Sequence, residues 1–465
     1  MPGSGDEGFS NAMFGPVWRG QQFGQAAHSP EATEGRRTTR MTTTRSDAEL
    51  ALVEQARRLL PAGGLGNVNS DTIIARGSAG RVWDVSGREY VDLLLGSGPM
   101  LVGHAHPEVM QAVLEQVQLG TTFFANNGPA IRLAAEIVGA VACAEKVRFV
   151  SSGTEADLYA MRLARAFRRR DKILKFEGGY HGMSDYSLMS LWPERPGNFP
   201  QAAPDSAGIP ASVRDDMLVC PYNDLATAQD LIRAHHDEIG GVIVEPMQRL
   251  ITPEAGFLQG LREITREYGI PLIFDEVVTG FRLAYGGAQE YYGVVPDICT
   301  LGKVIGGGFP LAAIAGRDDI MAHLDRGRVG AEGFMPQIGT LSGNPVAAVA
   351  GLATLAILRR PGAYERIFAN GEAIRNGLAT ALQDAGIEAT VPGEPPMFDA
   401  VFSGGRVRNY RDSVGGDMAL SKRFNAMVRE LGVLKSDNKI YVSLAHDEAD
   451  IAQVTGAFRD AARAL

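Results

Sequence analysis

Cysteine is scarce in this chain. Cys143, Cys220 and Cys299 are the only three in 465 residues, far apart and odd in number. None forms a CxxC pair, so neither a zinc site nor a disulfide framework is suggested, and a reducing, cytoplasmic setting fits best. Long apolar runs are missing as well. No stretch reaches the length of a membrane span. The opening 40 residues hold no continuous apolar segment, so a secretory signal is not expected. An excess of basic charge is also lacking: the formal net charge is −9, which argues against a nucleic-acid partner. Arg165, Arg168, Arg169 and Arg170 make one local basic cluster, read here as a solvated helix end with cations near its C-terminus. Lysine is rare too, with seven in all. Six of these (Lys146, Lys172, Lys175, Lys422, Lys435 and Lys439) neighbour charges or open an element. Lys303 alone sits in an apolar, glycine-rich frame.

What is present is the composition of a globular protein, 45% hydrophobic and 21% charged. The length suggests about two or three domains. Residues 1–45, rich in Gly, Ser, Gln and Thr, read as a disordered tail, with Met41 as a possible natural start. Ser46 and Glu49 form a capping box ahead of Leu52, Val53, Ala56, Leu59 and Leu60 on one helical face. Val82–Asp92 alternates around a Ser-Gly turn and reads as a hairpin. Helical segments follow from about Pro107 and Pro129. From Lys146 to about Gly316, short apolar runs alternate with amphipathic helices. The runs are Lys146–Val150, Ile173–Phe176, Met217–Cys220, Gly241–Glu245, Pro271–Asp275, Ile298–Leu301 and Leu311–Ala315. That pattern predicts an α/β fold whose mostly parallel central sheet is covered on both faces. The predicted boundaries are 46–105 for an N-terminal segment and 106–343 for a large domain. Residues 344–465 would form a smaller α+β domain joined by the N-terminal segment, with strands such as Met397–Phe402 and Lys439–Leu444. No internal repeat is visible.

In sheets of this kind ligands sit beyond the carboxyl ends of the strands, so the residues just after each strand carry the interest. After Val150 comes Ser151-Ser152-Gly153-Thr154-Glu155-Ala156 and then a helix, an arrangement whose free N–H groups can cup a phosphate. Ser, Gly and Thr are equally ordinary capping residues. After Phe274 come Asp275 and Glu276, carboxylates that are costly to bury without a cation or hydrogen bonds, or that cap a neighbouring loop. After Leu301 come Gly302 and Lys303. Burial depresses an ammonium pKa, and a neutral amine can form a Schiff base. A lysine, a carboxylate and a phosphate cup at three strand ends are the set that a pyridoxal phosphate (PLP) site requires.

The sequence resembles the class III (fold-type I) PLP-dependent aminotransferases, in the subgroup near glutamate-1-semialdehyde aminomutase, from about Ser46 onward. The resemblance rests on Gly98-Pro99-Met100, Gly103-His104-Ala105-His106-Pro107, Ser152–Ala156 and Phe176-Glu177-Gly178-Gly179-Tyr180-His181-Gly182. It continues through Val244-Glu245-Pro246, Phe274–Arg282, Thr300-Leu301-Gly302-Lys303, Gly339–Pro345 and Ser443-Leu444-Ala445-His446. It implies a ping-pong exchange of an amino group between a small-molecule donor and a carbonyl acceptor. Lys303 would hold PLP as an internal aldimine and carry the proton. Asp275 would keep the pyridine nitrogen protonated. Ser152, Gly153 and Thr154 would bind the phosphate, Tyr180 would stack on the ring, and Val277 would pack on its other face. Gln248 stands where related transaminases bond the ring hydroxyl. Thr340 would reach the phosphate of a neighbouring subunit, making a homodimer with shared active sites. No metal is implied. His104, His106 and His181 read as turn or packing residues, and Glu245 as a supporting carboxylate.

The chain also departs from the aminomutase pattern. That pattern has an arginine soon after Pro-Gly-Gly, whereas Pro61-Ala62-Gly63-Gly64 is followed by Leu65-Gly66-Asn67-Val68-Asn69-Ser70. It has a tryptophan where this chain has Ser97. It has Ala-Gly-Asn after Glu-Pro-Val, where this chain reads Met247-Gln248-Arg249. Loss of a bidentate carboxylate anchor is not conservative. The cofactor half of the site is intact and the substrate half rebuilt, with Phe123 or Phe124 as candidate lining. An aminotransferase of another substrate is the first reading. An aminomutase, a racemase and a non-enzymatic PLP-binding relative remain as alternatives.

Overall fold

The Ser46 hydroxyl accepts the Glu49 N–H at 3.2 Å and so caps the first helix, α1 (Asp47–Leu59). This is a computed structural model, and it describes residues 45–67 and 71–465. The tail expected over residues 1–45 therefore lies outside the described residues apart from Arg45, as do residues 68–70. The capping box is only half made. Glu49 does not return to the Ser46 N–H but turns to the Ser86 hydroxyl and the Ile73 N–H. The apolar face expected on α1 is likewise not covered: Val53 is buried, while Leu52 and Leu59 are exposed. The helix is docked through Glu49 rather than through its leucines.

Strands β1 (Ile74–Ser78), β2 (Arg81–Asp84) and β3 (Glu89–Asp92) form a meander, with the expected Ser-Gly turn between the last two. Helices α2 (Pro107–Leu119) and α3 (Gly128–Ala140) follow. Then comes the central sheet: β4 (Lys146–Val150), β5 (Lys172–Phe176), β6 (Met217–Cys220), β7 (Ile239–Val244), β8 (Leu272–Glu276), β9 (Ile298–Leu301) and β10 (Ala312–Gly316). Its spatial order is β4-β10-β9-β8-β7-β5-β6, and only β10 runs against its neighbours. The sheet is thus the mostly parallel one the sequence predicts.

Burial on both faces explains the unbroken apolar runs. Leu272 and Phe274 point into one core cluster and Ile273 into another on the opposite face. Helix α4 (Gly153–Arg168) packs across β7, β9 and β10. At its end only Arg169 and Arg170 are the solvated cations expected. The Arg165 guanidinium stacks 4.0 Å from the Tyr186 ring centroid, and Arg168 donates to the His236 carbonyl. Those two side chains cover apolar surface and satisfy a carbonyl, which a free helix end would not require.

Beyond the sheet, helix Pro345–Leu358 packs on α2 and α3. Strands β11 (Gly393–Glu394), β12 (Met397–Phe398), β13 (Val433–Leu434) and β14 (Ile440–Tyr441) are shorter than the runs expected at Met397–Phe402 and Lys439–Leu444. After Phe398 the Asp399 carboxylate accepts the Ala400 N–H at 2.8 Å, removing it from any ladder. β13 pairs in parallel with β3, and Val91, Phe398, Val433, Ile440 and Phe458 share one core. Among the described residues, no single helix is long and apolar enough to cross a membrane.

Candidate active site

The order β4-β10-β9-β8 brings the carboxyl ends of β4, β9 and β8 together, because β10 points the other way. Each contributes one element of the site. Past β4, Ser152 caps α4, its hydroxyl accepting the Glu155 N–H at 3.3 Å. Gly153 opens the helix where a Cβ would stand 3.0 Å from Val277 Cγ1. Glycine here lets the positive end of α4 close against the loop after β8. Thr154 accepts the Met183 N–H at 3.2 Å and holds the 180–183 turn over the cup.

On β8, Asp275 is buried, and Oδ2 lies 2.8 Å from His181 Nδ1. A carboxylate acceptor places the imidazole proton on Nδ1. The other oxygen, Oδ1, accepts the Val277 N–H at 3.1 Å and faces the Thr300 hydroxyl at 3.4 Å. Thr300 makes its shorter bond, 2.6 Å, to Asp157 Oδ1. Burial pushes the Asp157 carboxyl well above its ordinary range, and the neighbouring Asp275 pushes it the same way. His181, read from sequence as a turn or packing residue, hydrogen-bonds Asp275, and Asp157 and Thr300 were given no role from sequence. The one available signal for Asp157 was an acid in the second turn of the helix that opens on the cup.

After β9, Lys303 takes a left-handed φ of 48° between Gly302 and the short helix Lys303–Gly306. Burial lowers its ammonium pKa, Asp275 opposes that shift, and Arg282 adds to it. The apolar, glycine-rich sequence frame is peculiar to Lys303, but burial is not. Lys175 is fully buried and donates to the Ser187 and Met189 carbonyls, while Lys435 and Lys439 are also buried. Lys303 differs in its position: it faces a cavity of about 350 Å³ with Ser152, Gly153, Thr154, Tyr180, Asp275 and Val277.

Two expected residues do not line that cavity. Gln248 is buried behind it, its amide donating to the Glu177 carbonyl at 2.8 Å and its Oε1 unpaired. Thr340 is exposed in the 337–343 loop, beside a second cavity of about 510 Å³ that Phe124 lines. Neither Phe123 nor Phe124 reaches the Lys303 cavity, and both are exposed. Glu245 plays the supporting part expected, accepting the Tyr180 N–H at 2.9 Å. His104 pairs with Asp92 at 2.7 Å, away from the cavity.

The walls suit PLP: a lysine, a buried carboxylate held from two sides, an aromatic ring and a helix N-terminus surround one space of the right size. Fold and site together define a fold-type I PLP-dependent transferase. The chain belongs to the aminotransferase class-III family, which residues 65–461 match. An omega-transaminase from Sphaerobacter thermophilus is 34% identical, with 90% of this chain and 97% of that one covered and a TM-score of 0.85. A beta-phenylalanine aminotransferase from Variovorax paradoxus is 33% identical over 89% and 93% of the two chains, with a TM-score of 0.79. A glutamate-1-semialdehyde aminomutase from Pseudomonas aeruginosa PAO1 is 25% identical over 89% and 94%, with a TM-score of 0.80. The protein is a PLP-dependent aminotransferase acting on small-molecule donors and acceptors.

Proposed function

We propose that Lys303 is the catalytic base and the covalent anchor of the cofactor in an aminotransferase whose donor is not glutamate-1-semialdehyde. The observation that carries this is the lysine itself: it stands in the cavity, opposite a carboxylate whose two oxygens are already fixed. Bound PLP supplies an electron sink for the bond broken at the donor's α-carbon. Everything else falls to the chain. The Lys303 amine, its pKa lowered by burial, accepts and returns a proton at that carbon. Asp275 offers a negative charge to the ring nitrogen, and His181 and the Val277 N–H fix its plane. Gly153 and Thr154, with Ser152 capping the helix between them and the sheet, offer backbone N–H groups to the phosphate. Tyr180 and Val277 confine the ring from its two faces, whereas Gln248, behind the cavity wall, is not given the ring hydroxyl.

The active unit is read as a homodimer in which Thr340 completes the neighbour's phosphate site. Exposure of Thr340 outside its own cavity favours that reading. Cytoplasmic residence rests on three cysteines that are free and buried. The division into a large domain at 106–343 and a smaller one from 46–105 and 344–465 is likewise proposed. The β3–β13 pairing supports it by joining the two ends of the chain.

Substrate choice follows from the missing arginine after Gly64 and from Ser97, which is exposed and hydrogen-bonds Tyr441. Removing one partner of a buried charged pair costs on the order of 2–5 kcal/mol. Steady-state kinetics on the holoenzyme across amines, amino acids and glutamate-1-semialdehyde tests this. Glutamate-1-semialdehyde is expected near the bottom of the ranking. A specificity constant for it at the top would restore the aminomutase reading.

A further inference from the structure

The C-terminal part of the chain reaches back over the loops that follow β5, β6 and β7. Residues 406–412 are tied there by two arginine forks. Arg408 donates to Glu254 through Nε at 2.8 Å and Nη2 at 3.0 Å, and its carbonyl accepts the Asn223 amide at 2.9 Å. Arg411 holds Glu177 in the same bidentate way, at 2.7 and 3.0 Å. The two carboxylates differ in setting, since Glu254 is partly exposed while Glu177 is buried. Arg411 also donates to the Gly197 carbonyl at 2.8 Å and lies 4.4 Å from the Phe199 ring centroid. One side chain thus joins its own loop, the end of β5, and the 177–210 connection, which carries no helix or strand. A connection of that length without elements of its own is commonly a functional one.

Glu177 opens the turn that leads to Tyr180, the aromatic wall of the Lys303 cavity. The inner side of that turn is secured through its main chain. The Glu177 carbonyl accepts the Gln248 amide at 2.8 Å, and the Tyr180 N–H donates to Glu245 at 2.9 Å. The outer side is covered by the C-terminal loop. At Gly178, φ 83°, a Cβ would stand 2.6 Å from Tyr410, so glycine lets the Tyr410 side chain lie directly on the turn. Among the described residues, Arg411 is the one cation paired with Glu177. We propose that Arg411 is a positioning residue: through Glu177 it holds the 177–180 turn and so sets the face that Tyr180 presents to the cofactor ring. A carboxylate as buried as Glu177 is costly once its partner is removed, and without Arg411 it would turn toward water and draw the turn with it. Arg411 itself does not line the cavity and acts only through the turn. The inference rests on the reading of Tyr180 as the wall of the ring.

The test is a double-substitution cycle read on the affinity of the full chain for PLP, by absorbance titration. Arg411→Gln is expected to weaken PLP binding about tenfold. Arg411→Lys should recover part of that loss, since an ammonium keeps the charge but cannot rebuild the fork. In a Tyr180→Leu background, Arg411→Gln should add less than about a twofold loss, because the wall it positions is already gone. Arg408→Gln is the control: it breaks an exposed fork of the same loop and should leave PLP affinity within about twofold of the wild type. Hydrogen exchange over residues 176–183 should quicken in Arg411→Gln and not in Arg408→Gln. Circular dichroism shows that each variant is folded. An equal loss on Arg411→Gln with and without Tyr180, or equal losses in the two arginine variants, would make the contact merely structural and overturn the proposal. Unweakened PLP binding in Tyr180→Leu itself counts against the ring-wall reading instead. The exchange measurement then decides the hold on the turn, and an unchanged rate in Arg411→Gln overturns it.

Discussion

His181 Nδ1 and Asp275 Oδ2 are 2.8 Å apart in a site where both side chains are buried. The imidazole therefore holds the plane of the carboxylate proposed to meet the cofactor's ring nitrogen, and in that proposal acts through Asp275 rather than on substrate. His181→Ala is expected to leave PLP bound and to lower kcat up to about a hundredfold with little change in KM, the size of effect that misorientation brings. Asp275→Asn should be far more damaging, since an amide cannot stabilise a pyridinium as a carboxylate does. Stopped-flow single-turnover rates on both variants check the order. A His181→Ala enzyme with a wild-type rate would reduce the histidine to packing.

Lys303→Ala should abolish covalent attachment of the cofactor. Borohydride treatment followed by peptide mapping is expected to recover PLP on the Lys303 peptide of the wild type and on no peptide of the variant. Lys175 and Lys439 are the controls that matter, since both are buried lysines with lowered pKa. Label on either would reassign the anchor.

Lys175 has its own consequence for stability. Burial brings its pKa down to about 7, against about 10.4 in an unfolded chain. Between those values the unfolded chain holds a proton that the folded one has released. Stability therefore rises with pH from about 7 to about 10.4 and loses this contribution as pH falls through 7. Urea midpoints at about pH 6.5 and about pH 9.5 should show that rise in the wild type and a flatter response in Lys175→Met. Equal slopes in the two proteins would mean that the amine is charged throughout, held by the Ser187 and Met189 carbonyls.

Local rules reached much of this fold because β6 and β9 are short apolar runs closed off by polar residues, and they occur where the runs predict. The strand-end rule then reached Asp275, Lys303 and the Gly153 turn, which the sheet order does bring together. Partnerships across the sheet were not legible in this way. His181 and Asp275 are 94 residues apart, and Asp157 and Thr300 are 143 apart. No periodicity records such a meeting. Lys175 escaped notice for a related reason: its neighbours in sequence are unremarkable, and its burial comes from the 187–189 segment folding over it. On α1 the error ran the other way, since an apolar stripe was visible but the described chain buries only Val53 of it and leaves Leu52 and Leu59 exposed.

Thr340 supplies the last prediction. It lies outside its own subunit's cavity, on a glycine-flanked turn, and closed dimers are the commonest assemblies. If it completes the neighbour's phosphate site, activity is a property of the pair. Thr340→Val alone should weaken PLP binding, and Lys303→Ala alone should be inactive. In a heterodimer of the two variants, one site carries both lesions and the other carries neither. Mixing the two variant proteins under conditions of subunit exchange should then raise activity above that of either alone, up to half of the wild-type value per dimer for each heterodimer. Mass spectrometry of differently tagged subunits confirms the exchange. Confirmed heterodimers with no recovered turnover would place Thr340 outside the shared site.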